Sequence, residues 1–283
     1  MALDEAGRIA LSAGEDASVR LWDLPSGRCA RVLRGHDGPV EAVAVDASGR
    51  VGFSVGADML VRVWDLATGK CRAELAGHTA KPTTLVADRD GRYLLTAPRW
   101  GEEGPRLWDV AAGHCLCELP LGATTLSPDG TVLVSGHDDG GLHLWDPRTG
   151  SHRRTLHAPD ESGKVGPLWT DGDTAIASRE GSGIEVWDLH AGRRTLQREQ
   201  LPSFRQVSPD GRFGVSGGFD MLVRVWDVRS GGQLAMLEGH DEVVAGTLLA
   251  DDGHTLASFD GAGCILIWDL DWDYDFTPPP DRF

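Results

Sequence analysis

The sequence lacks the features of a membrane-spanning or exported protein. No apolar run reaches the about 18 residues of a transmembrane helix, and the start, Met-Ala-Leu-Asp-Glu-Ala-Gly-Arg, has neither the basic nor the apolar part of a signal peptide. Basic residues are in deficit too, since 27 Lys and Arg face 43 Asp and Glu, a formal net charge of −16. Such a surface repels nucleic acid and anionic membranes. The sequence therefore predicts a soluble, cytoplasmic protein with no nucleic-acid or membrane partner.

Cysteine is scarce, with five residues in the chain. Cys29, Cys71 and Cys115 each follow a Trp by seven residues, so they occupy one repeated position, and equivalent positions of neighbouring repeats lie too far apart for a disulfide. The close pair Cys115-x-Cys117 offers poor geometry for a metal. We expect reduced thiols, as in a reducing compartment, and no metal site.

Kinase and nucleotide-binding motifs are missing as well. The chain contains no Gly-x-x-x-x-Gly-Lys-[Ser/Thr] phosphate loop and no kinase catalytic loop. We therefore expect no cofactor and no catalytic residue.

What the chain does have is repetition. The octapeptide Asp-Met-Leu-Val-Arg-Val-Trp-Asp occurs at 58–65 and again at 220–227. Its ending, Trp-Asp, occurs seven times at steps of 37 to 44 residues, beginning at Trp22, Trp64, Trp108, Trp145, Trp187, Trp226 and Trp268. Within the octapeptide the β-branched and aromatic side chains alternate between two faces, which predicts a strand.

Each full repeat contains four apolar runs. In the second repeat they are Pro39–Val45, Arg50–Val55, Leu60–Trp64 and Cys71–Leu75. Glycine-containing turn sequences such as Asp46-Ala-Ser-Gly49 and Ala67-Thr-Gly69 separate them and recur in the other repeats. The pattern predicts four antiparallel strands per repeat.

This pattern resembles the WD-repeat β-propeller family, whose repeats run Gly-His, strand, Asp-Gly turn, strand, and a third strand ending in Trp-Asp. The resemblance implies an all-β, seven-bladed propeller around a channel, as a single domain over residues 1–276 followed by a Pro-rich tail at 277–283. The sequence also resembles, weakly, the propeller regions of large bacterial WD-repeat proteins, which often carry a kinase or signalling ATPase upstream.

The family signature includes a hydrogen-bonded tetrad in each blade, matched in full by His36, Ser54, Asp58 and Trp64. The other repeats keep parts of it. The first, fourth and sixth have no His in it, and the seventh has no Asp in register. The parts kept are Ser12, Asp16 and Trp22; His78, Thr96 and Trp108; Ser135, Asp139 and Trp145; Ser178 and Trp187; Ser216, Asp220 and Trp226; His240, Ser258 and Trp268. A Ser-His-Asp catalytic triad is the alternative interpretation of the complete set. Piecemeal recurrence of the same groups, and the place of Ser54 within a strand, favour a structural role.

Four residues are candidates for partner binding. Arg99 and Trp100 lie in a loop two residues longer than its equivalent in the second repeat, and Trp and Arg are enriched at binding hot spots. Met59 and Met221 occupy equivalent loops. Packing within the chain is the alternative role for Trp100 and for both methionines.

The ends of the chain bear on how the blades are completed. Only 21 residues precede the first Trp-Asp, so we expect an incomplete first blade of three strands, with Met1 to Leu3 as a stub of a fourth. The tail Asp271-Trp-Asp-Tyr-Asp-Phe276 alternates acid with aromatic, and we expect it to supply an outer strand.

These observations predict a non-catalytic, monomeric scaffold or sensor that binds a protein or peptide, since loops on a rigid framework are where binding resides. A propeller hydrolase or lyase with its site at the channel mouth is the alternative. A third hypothesis is a fragment whose parent kinase or ATPase holds the activity.

Overall fold

The computed structural model describes residues 1–98, 103–157, 165–179, 183–198, 206–208, 211–228, 230, 232–249 and 254–270. Within these ranges the chain is all-β, with 27 strands in seven antiparallel sheets and no helix, hence none long and apolar enough to cross a membrane. We number the sheets blades 1 to 7 in chain order. The predicted fold class, a seven-bladed β-propeller, is confirmed.

The chain separates into two compact units. The first unit, Met1–Ser203, contains blades 1 to 5. Its strands are β1 Ala2–Leu3, β2 Ile9–Ala13, β3 Ser18–Asp23, β4 Arg28–Arg34, β5 Val40–Val45, β6 Val51–Gly56, β7 Val61–Asp65, β8 Lys70–Leu75, β9 Pro82–Ala87, β10 Tyr93–Pro98, β11 Arg106–Asp109, β12 His114–Glu118, β13 Ala123–Leu126, β14 Leu133–Gly136, β15 Gly141–Asp146, β16 Ser151–His157, β17 Val165–Thr170, β18 Thr174–Arg179, β19 Gly183–Asp188 and β20 Arg193–Arg198.

The second unit, Phe204–Phe283, contains blades 6 and 7. Its strands are β21 Gln206–Val207, β22 Phe213–Gly217, β23 Val223–Asp227, β24 Gln233–Leu237, β25 Val244–Leu249, β26 Thr255–Asp260 and β27 Ile265–Asp269. Blade 7 therefore has three strands in the described residues. The predicted outer strand at 271–276 lies outside those residues.

Blade 1 differs from its prediction in strand count. Its innermost strand, β1, has only two residues, as the short stretch before the first Trp-Asp indicated. Ala2 and Leu3 of this strand nevertheless pair with Leu11 and Ala10 of β2. The sheet therefore has four strands, and the expected three is wrong, because two residues suffice to continue the ladder.

Within each unit, neighbouring blades pack face to face, so the strands between them are covered by apolar side chains. In blade 2, the first four residues of β7 are all buried, whereas β8 is exposed along most of its length. Phe53, Val55 and Val63 of blade 2 form one core with Leu94 and Trp108 of blade 3. In the second unit Val215 and Val223 pack with Val244 and Leu256 in the same way. Two-sided burial explains why these strands are nearly continuous in apolar residues.

A β-bulge recurs just before the Trp where the third and fourth strands pair. The register shifts between Val63 and Trp64 in blade 2, and at the same place in blades 1, 3, 4, 5 and 6. Trp64 consequently lies opposite Cys71. The repeated cysteine position is thus the cross-strand partner of Trp in blades 1 to 3, and all five thiols are free.

The turns between first and second strands are hydrogen-bonded from blade to blade along the first unit. The N–H of Glu5 donates to the carbonyl of Ala47 (3.4 Å), that of Ala47 to Arg89 (2.8 Å) and that of Arg89 to Pro128 (2.6 Å). Within each turn, one side chain accepts two backbone N–H groups of residues that follow it. These accepting side chains are Asp4, Asp46, Asp88 and Ser127.

Replacing Asp46 tests this arrangement. Asp46 Oδ1 accepts the N–H groups of Arg50 (2.9 Å) and Val51 (2.7 Å), so Asp46→Ala leaves both without a partner and should lower the free energy of unfolding by about 1–3 kcal/mol. Asp46→Ser copies blade 4, where Ser127 bonds the equivalent groups, and should recover much of the loss. Urea titrations measure both; equal stability of the Ala and Ser variants would contradict the prediction.

Candidate functional site

Blade 2 brings its four predicted tetrad residues into one hydrogen-bonded chain. His36 Nδ1 lies 2.8 Å from Asp58 Oδ1, His36 Nε2 lies 2.7 Å from Ser54 Oγ, and Trp64 Nε1 donates to the same Oγ at 2.8 Å. With the carboxylate as acceptor, the imidazole proton is on Nδ1 and Nε2 accepts from the hydroxyl. Every polar atom of the buried imidazole is thereby satisfied.

The same geometry bears on the alternative of a catalytic triad. Ser54 stands within Gly52-Phe-Ser-Val-Gly56, which has the Gly-x-Ser-x-Gly form of a nucleophile elbow, but here the Ser is in the middle of strand β6 and not at a strand-to-helix turn. Its side chain is 0% exposed. The hydroxyl is enclosed by the indole and imidazole, so it has no access for a substrate, and the arrangement supports a structural role.

An arginine that the sequence interpretation missed completes the charge balance of this group. Arg62 Nη1 donates to Asp58 Oδ2, and the Arg62 side chain is buried. Burial opposes ionisation of Asp58, but hydrogen bonds from Arg62 and His36 outweigh it and lower its pKa from 3.8 to about 2. The same burial lowers the pKa of His36 below 6.5. Arg also occurs two residues before Trp at Arg20, Arg106 and Arg224, and each of these pairs with an acid. This repeated spacing is the sequence signal from which the role of Arg62 could have been predicted.

Blade 3 builds the same group with a glutamate. His78 Nε2 lies 2.6 Å from Thr96 Oγ1, to which Trp108 Nε1 donates at 2.7 Å, as the sequence predicted. The acid is Glu103, whose Oε1 lies 2.8 Å from His78 Nδ1. Sequence reasoning missed Glu103 because it lies in the enlarged loop, where it is out of register with Asp58.

Blade 4 supplies its imidazole from an unexpected place, so the expectation that this blade lacks a His is wrong. His137 Nε2 lies 2.9 Å from Ser135 Oγ, and His137 Nδ1 lies 3.0 Å from the carbonyl oxygen of Leu121. The ring therefore comes from two residues after the hydroxyl, and not from the preceding loop. Trp145 Nε1 donates to Ser135 Oγ at 2.7 Å, as in blade 2.

Blade 5 departs furthest from the signature, and the pairing of Ser178 with Trp187 is wrong. Trp187 Nε1 donates to Glu185 Oε2 (3.0 Å), and the Ser178 hydroxyl donates instead to the carbonyl of Gly166 (3.4 Å). A buried carboxylate thus replaces the hydroxyl as the acceptor for the indole. Arg194 Nη1 lies 2.8 Å from Glu185 Oε1 and neutralises it.

Blades 1 and 6 keep the indole–hydroxyl bond without a His in the described residues. Trp22 donates to Ser12 Oγ at 2.8 Å and Trp226 to Ser216 Oγ at 2.9 Å. Their acids, Asp16 and Asp220, pair with Arg20 and Arg224 instead.

Blade 7 has no Asp in register, as the sequence indicated, and takes its acid from another position. His240 Nδ1 lies 3.0 Å from Asp260 Oδ2 and His240 Nε2 lies 2.7 Å from Ser258 Oγ, which accepts the Trp268 indole N–H at 2.7 Å. Asp260 follows the Ser by two residues, whereas Asp58 follows Ser54 by four. His240, Asp260 and Cys264 also place their ligand atoms within 4.8 Å of one another, the arrangement in the described residues that could hold a metal ion.

The partner-binding candidates fall into two groups. Met59 and Met221 lie at the tips of equivalent turns, 42% and 41% exposed, so neither is packed into a core. Phe219, which is two residues before Met221 and 93% exposed, was not singled out from the sequence. The signal was that blade 2 has the small residue Ala57 at the equivalent position. Arg99 and Trp100 lie outside the described residues.

Removing the blade 2 imidazole should cost stability. His36→Ala leaves Ser54 and Asp58 without their shared buried partner, and we expect the free energy of unfolding to fall by about 1–3 kcal/mol. Chemical denaturation measures the loss. An unchanged melting temperature together with loss of a hydrolytic activity would reverse the structural assignment.

Acid should destabilise the first unit in two steps. The pKa values of His36 and His78 are lowered by burial from 6.5, so the unfolded chain takes up protons that the folded chain refuses, and stability falls as pH drops below about 6.5. Asp58 and Glu103, with folded pKa values of about 2, add a second loss between about pH 4 and pH 2. Urea titrations from pH 7.5 to 5 should show a flatter profile for the double variant His36→Gln, His78→Gln. An identical slope in both proteins would contradict the first step.

Comparison with known proteins finds sequences that are similar to these repeats. A family model described as "WD domain, G-beta repeat" matches residues 27–65, 113–146 and 202–227. Autophagy-related protein 16 of Arabidopsis thaliana is 27% identical over 279 residues, which are 95% of this chain and 46% of that protein. Target of rapamycin complex subunit LST8 of Mus musculus is 22% identical over 237 residues, 77% of this chain and 72% of that protein. Small ribosomal subunit protein RACK1 of Schizosaccharomyces pombe is 30% identical over 122 residues, 38% of each chain.

The chain thus spans about half the length of the first of these relatives. The family model matches three stretches of the chain, seven successive sheets each end a strand in Trp-Asp, and the indole N–H of each of these Trp residues donates to a side-chain oxygen. The matched repeats, these relatives and the seven sheets support a WD-repeat β-propeller, as the sequence predicted.

Proposed function

We propose that this protein is a non-catalytic interaction scaffold that binds a protein or peptide through apolar side chains at the tips of its blade turns. The observation that carries the proposal is the backbone of Met59 and Met221, which adopts φ values of 63° and 67°. This left-handed region costs a residue with a Cβ about 1–2 kcal/mol.

Other blades show that the turn does not need methionine. The equivalent residue of blade 4 is Gly140, with φ of 77°, and that of blade 1 is Ala17, with φ of 62°. Gly140 and Met59 close the same turn, each donating its N–H to the carbonyl three residues earlier. Methionine therefore adds strain and exposed apolar surface where glycine would serve the fold, and strain retained at an exposed tip points to a function.

The chemistry of these tips suits protein recognition. Methionine is flexible and polarisable and adapts to irregular apolar surfaces, and an aromatic ring as exposed as Phe219 is an anchor for a pocket on a partner. The names of two relatives describe subunits of larger assemblies, a target of rapamycin complex and a small ribosomal subunit, and this supports a partner of the same class here.

The finer features of the proposal follow the sequence analysis. We propose a single propeller domain over residues 1–276, monomeric and cytoplasmic, that works within a larger bacterial signalling protein with a kinase or ATPase region. Arg99 and Trp100 remain predicted partner anchors on the enlarged loop of blade 3.

Substituting the tip methionine separates binding from folding. Met221→Gly relieves the left-handed strain but adds freedom to the unfolded chain, worth about 0.4–1 kcal/mol, so its unfolding free energy should stay within about 1 kcal/mol of wild type. Binding should weaken by about 2 kcal/mol or more, the hot-spot threshold. A partner captured from lysate of the source organism, then purified, gives the affinities by calorimetry.

Met236→Ala is the matched control, since Met236 is equally exposed (48%) but lies on the outer strand β24 of the same blade. It should bind as wild type does, while Phe219→Ala, Met59→Gly and Trp100→Ala identify which tips contribute. A partner that binds all the tip variants as tightly as wild type would refute the proposed surface.

A further inference from the structure

Blade 7 lacks the arginine that neutralises the His-bonded acid in blades 2 and 3. In blades 2 and 3 the residue two before Trp is Arg62 or Arg106, paired with Asp58 or Glu103. The equivalent residue of blade 7 is Leu266.

The substitution is also equivalent in space. Gly35 and Gly239 occupy the same place before the His of their blades, and a Cβ added to either would meet the Trp Cη2 at 3.2 Å. The other close atom is Arg62 Nε at Gly35 (3.4 Å) and Leu266 Cδ1 at Gly239 (3.0 Å). An apolar side chain therefore fills the guanidinium position, and within the described part of the chain Asp260 has no Arg or Lys ion pair.

A thiol lies beside this acid. The turn from Asp260 to Cys264 is held by Asp260 itself, whose Oδ1 accepts the N–H groups of Ala262 (3.0 Å) and Cys264 (2.9 Å). The Cys264 side chain is exposed, whereas His240 and Asp260 are buried. The Cys264 Sγ, a carboxylate oxygen of Asp260 and a ring nitrogen of His240 lie within 4.8 Å of one another.

We propose that His240 Nδ1, Asp260 Oδ2 and Cys264 Sγ bind a zinc ion. Imidazole nitrogen, carboxylate oxygen and thiolate sulfur are the ligand types that zinc takes, and three protein ligands leave a fourth position for water or a side chain of a partner. The cation replaces the missing guanidinium as the counter-charge of Asp260. Ser258, bonded to His240 Nε2, orients the ring from behind, as outer-shell partners of metal-binding histidines do.

Zinc takes the Nδ1 lone pair, so the imidazole proton resides on Nε2, which donates a hydrogen bond to Ser258 Oγ. The Cys264 thiol gives its proton to solvent, because the thiolate is the ligand. One proton is released per ion bound.

Titration of the full, untagged chain under reducing conditions tests the site. Zn²⁺ calorimetry should show one ion per chain, and Co²⁺ as a spectroscopic substitute should show thiolate-to-metal charge-transfer absorption. Cys264→Ser should remove that absorption and weaken zinc binding by more than about tenfold, the smallest loss seen when even an outer-shell partner is removed. Cys71→Ser, which removes an exposed thiol opposite Trp64, is the matched control and should change neither.

A second variant addresses the reason for the site. Leu266→Arg recreates the blade 2 arrangement, so its guanidinium should pair with Asp260 and abolish zinc binding while the circular dichroism spectrum is unchanged. The proposal is overturned if wild type binds no stoichiometric ion, if Cys264→Ser or the folded Leu266→Arg variant binds zinc as wild type does, or if Cys71→Ser loses the thiolate absorption.

Discussion

Each blade depends on giving one buried N–H a partner. The indole N–H of every repeated Trp donates to a side-chain oxygen at 2.7 to 3.0 Å, whether that oxygen belongs to Ser, Thr or Glu. A large ring buries enough apolar surface to hold blades together, but only if its polar atom is not left unsatisfied. The His and the acid are additions to this pair, since blades 1 and 6 form without a His in the described residues.

The sequence was informative where the repeat fixes a position by strand register. Ser54 and Trp64 lie on neighbouring strands and are 10 residues apart, as are Ser258 and Trp268, whereas the longer loop of blade 3 puts Thr96 12 residues before Trp108. The repeat period and the four strands of a full repeat therefore followed from spacing, and the tetrad of the resembled family indicated the indole acceptor in six of seven blades. In blade 5 the count pointed to Ser178, but Glu185, on the same strand as the Trp, reaches the indole first.

Positions that depend on loop conformation could not be counted in this way. Glu103 and Asp260 take the place of Asp58 in their blades, and His137 takes that of His36, each from a different offset along the chain, because the loops that bring them there differ. The exposure of Met59 and Met221 was open for a related reason, since a turn residue can fold inward or outward without altering the pattern. Repetition thus predicts the strands and the residues fixed by their register, whereas the residues that loops contribute are found from the three-dimensional structure.

The row of turns from Glu5 to Pro128 joins adjacent blades through main-chain atoms. Hydrogen bonds of this kind do not depend on side-chain identity, as long as no residue that must donate becomes proline. Ala47 and Arg89 occupy the same link in neighbouring blades and share no chemistry. Mutation can therefore change the charge and size of the side chains on this row of turns while the main-chain hydrogen bonds between the blades remain. A repeat protein thereby has a surface that can evolve separately from its stability.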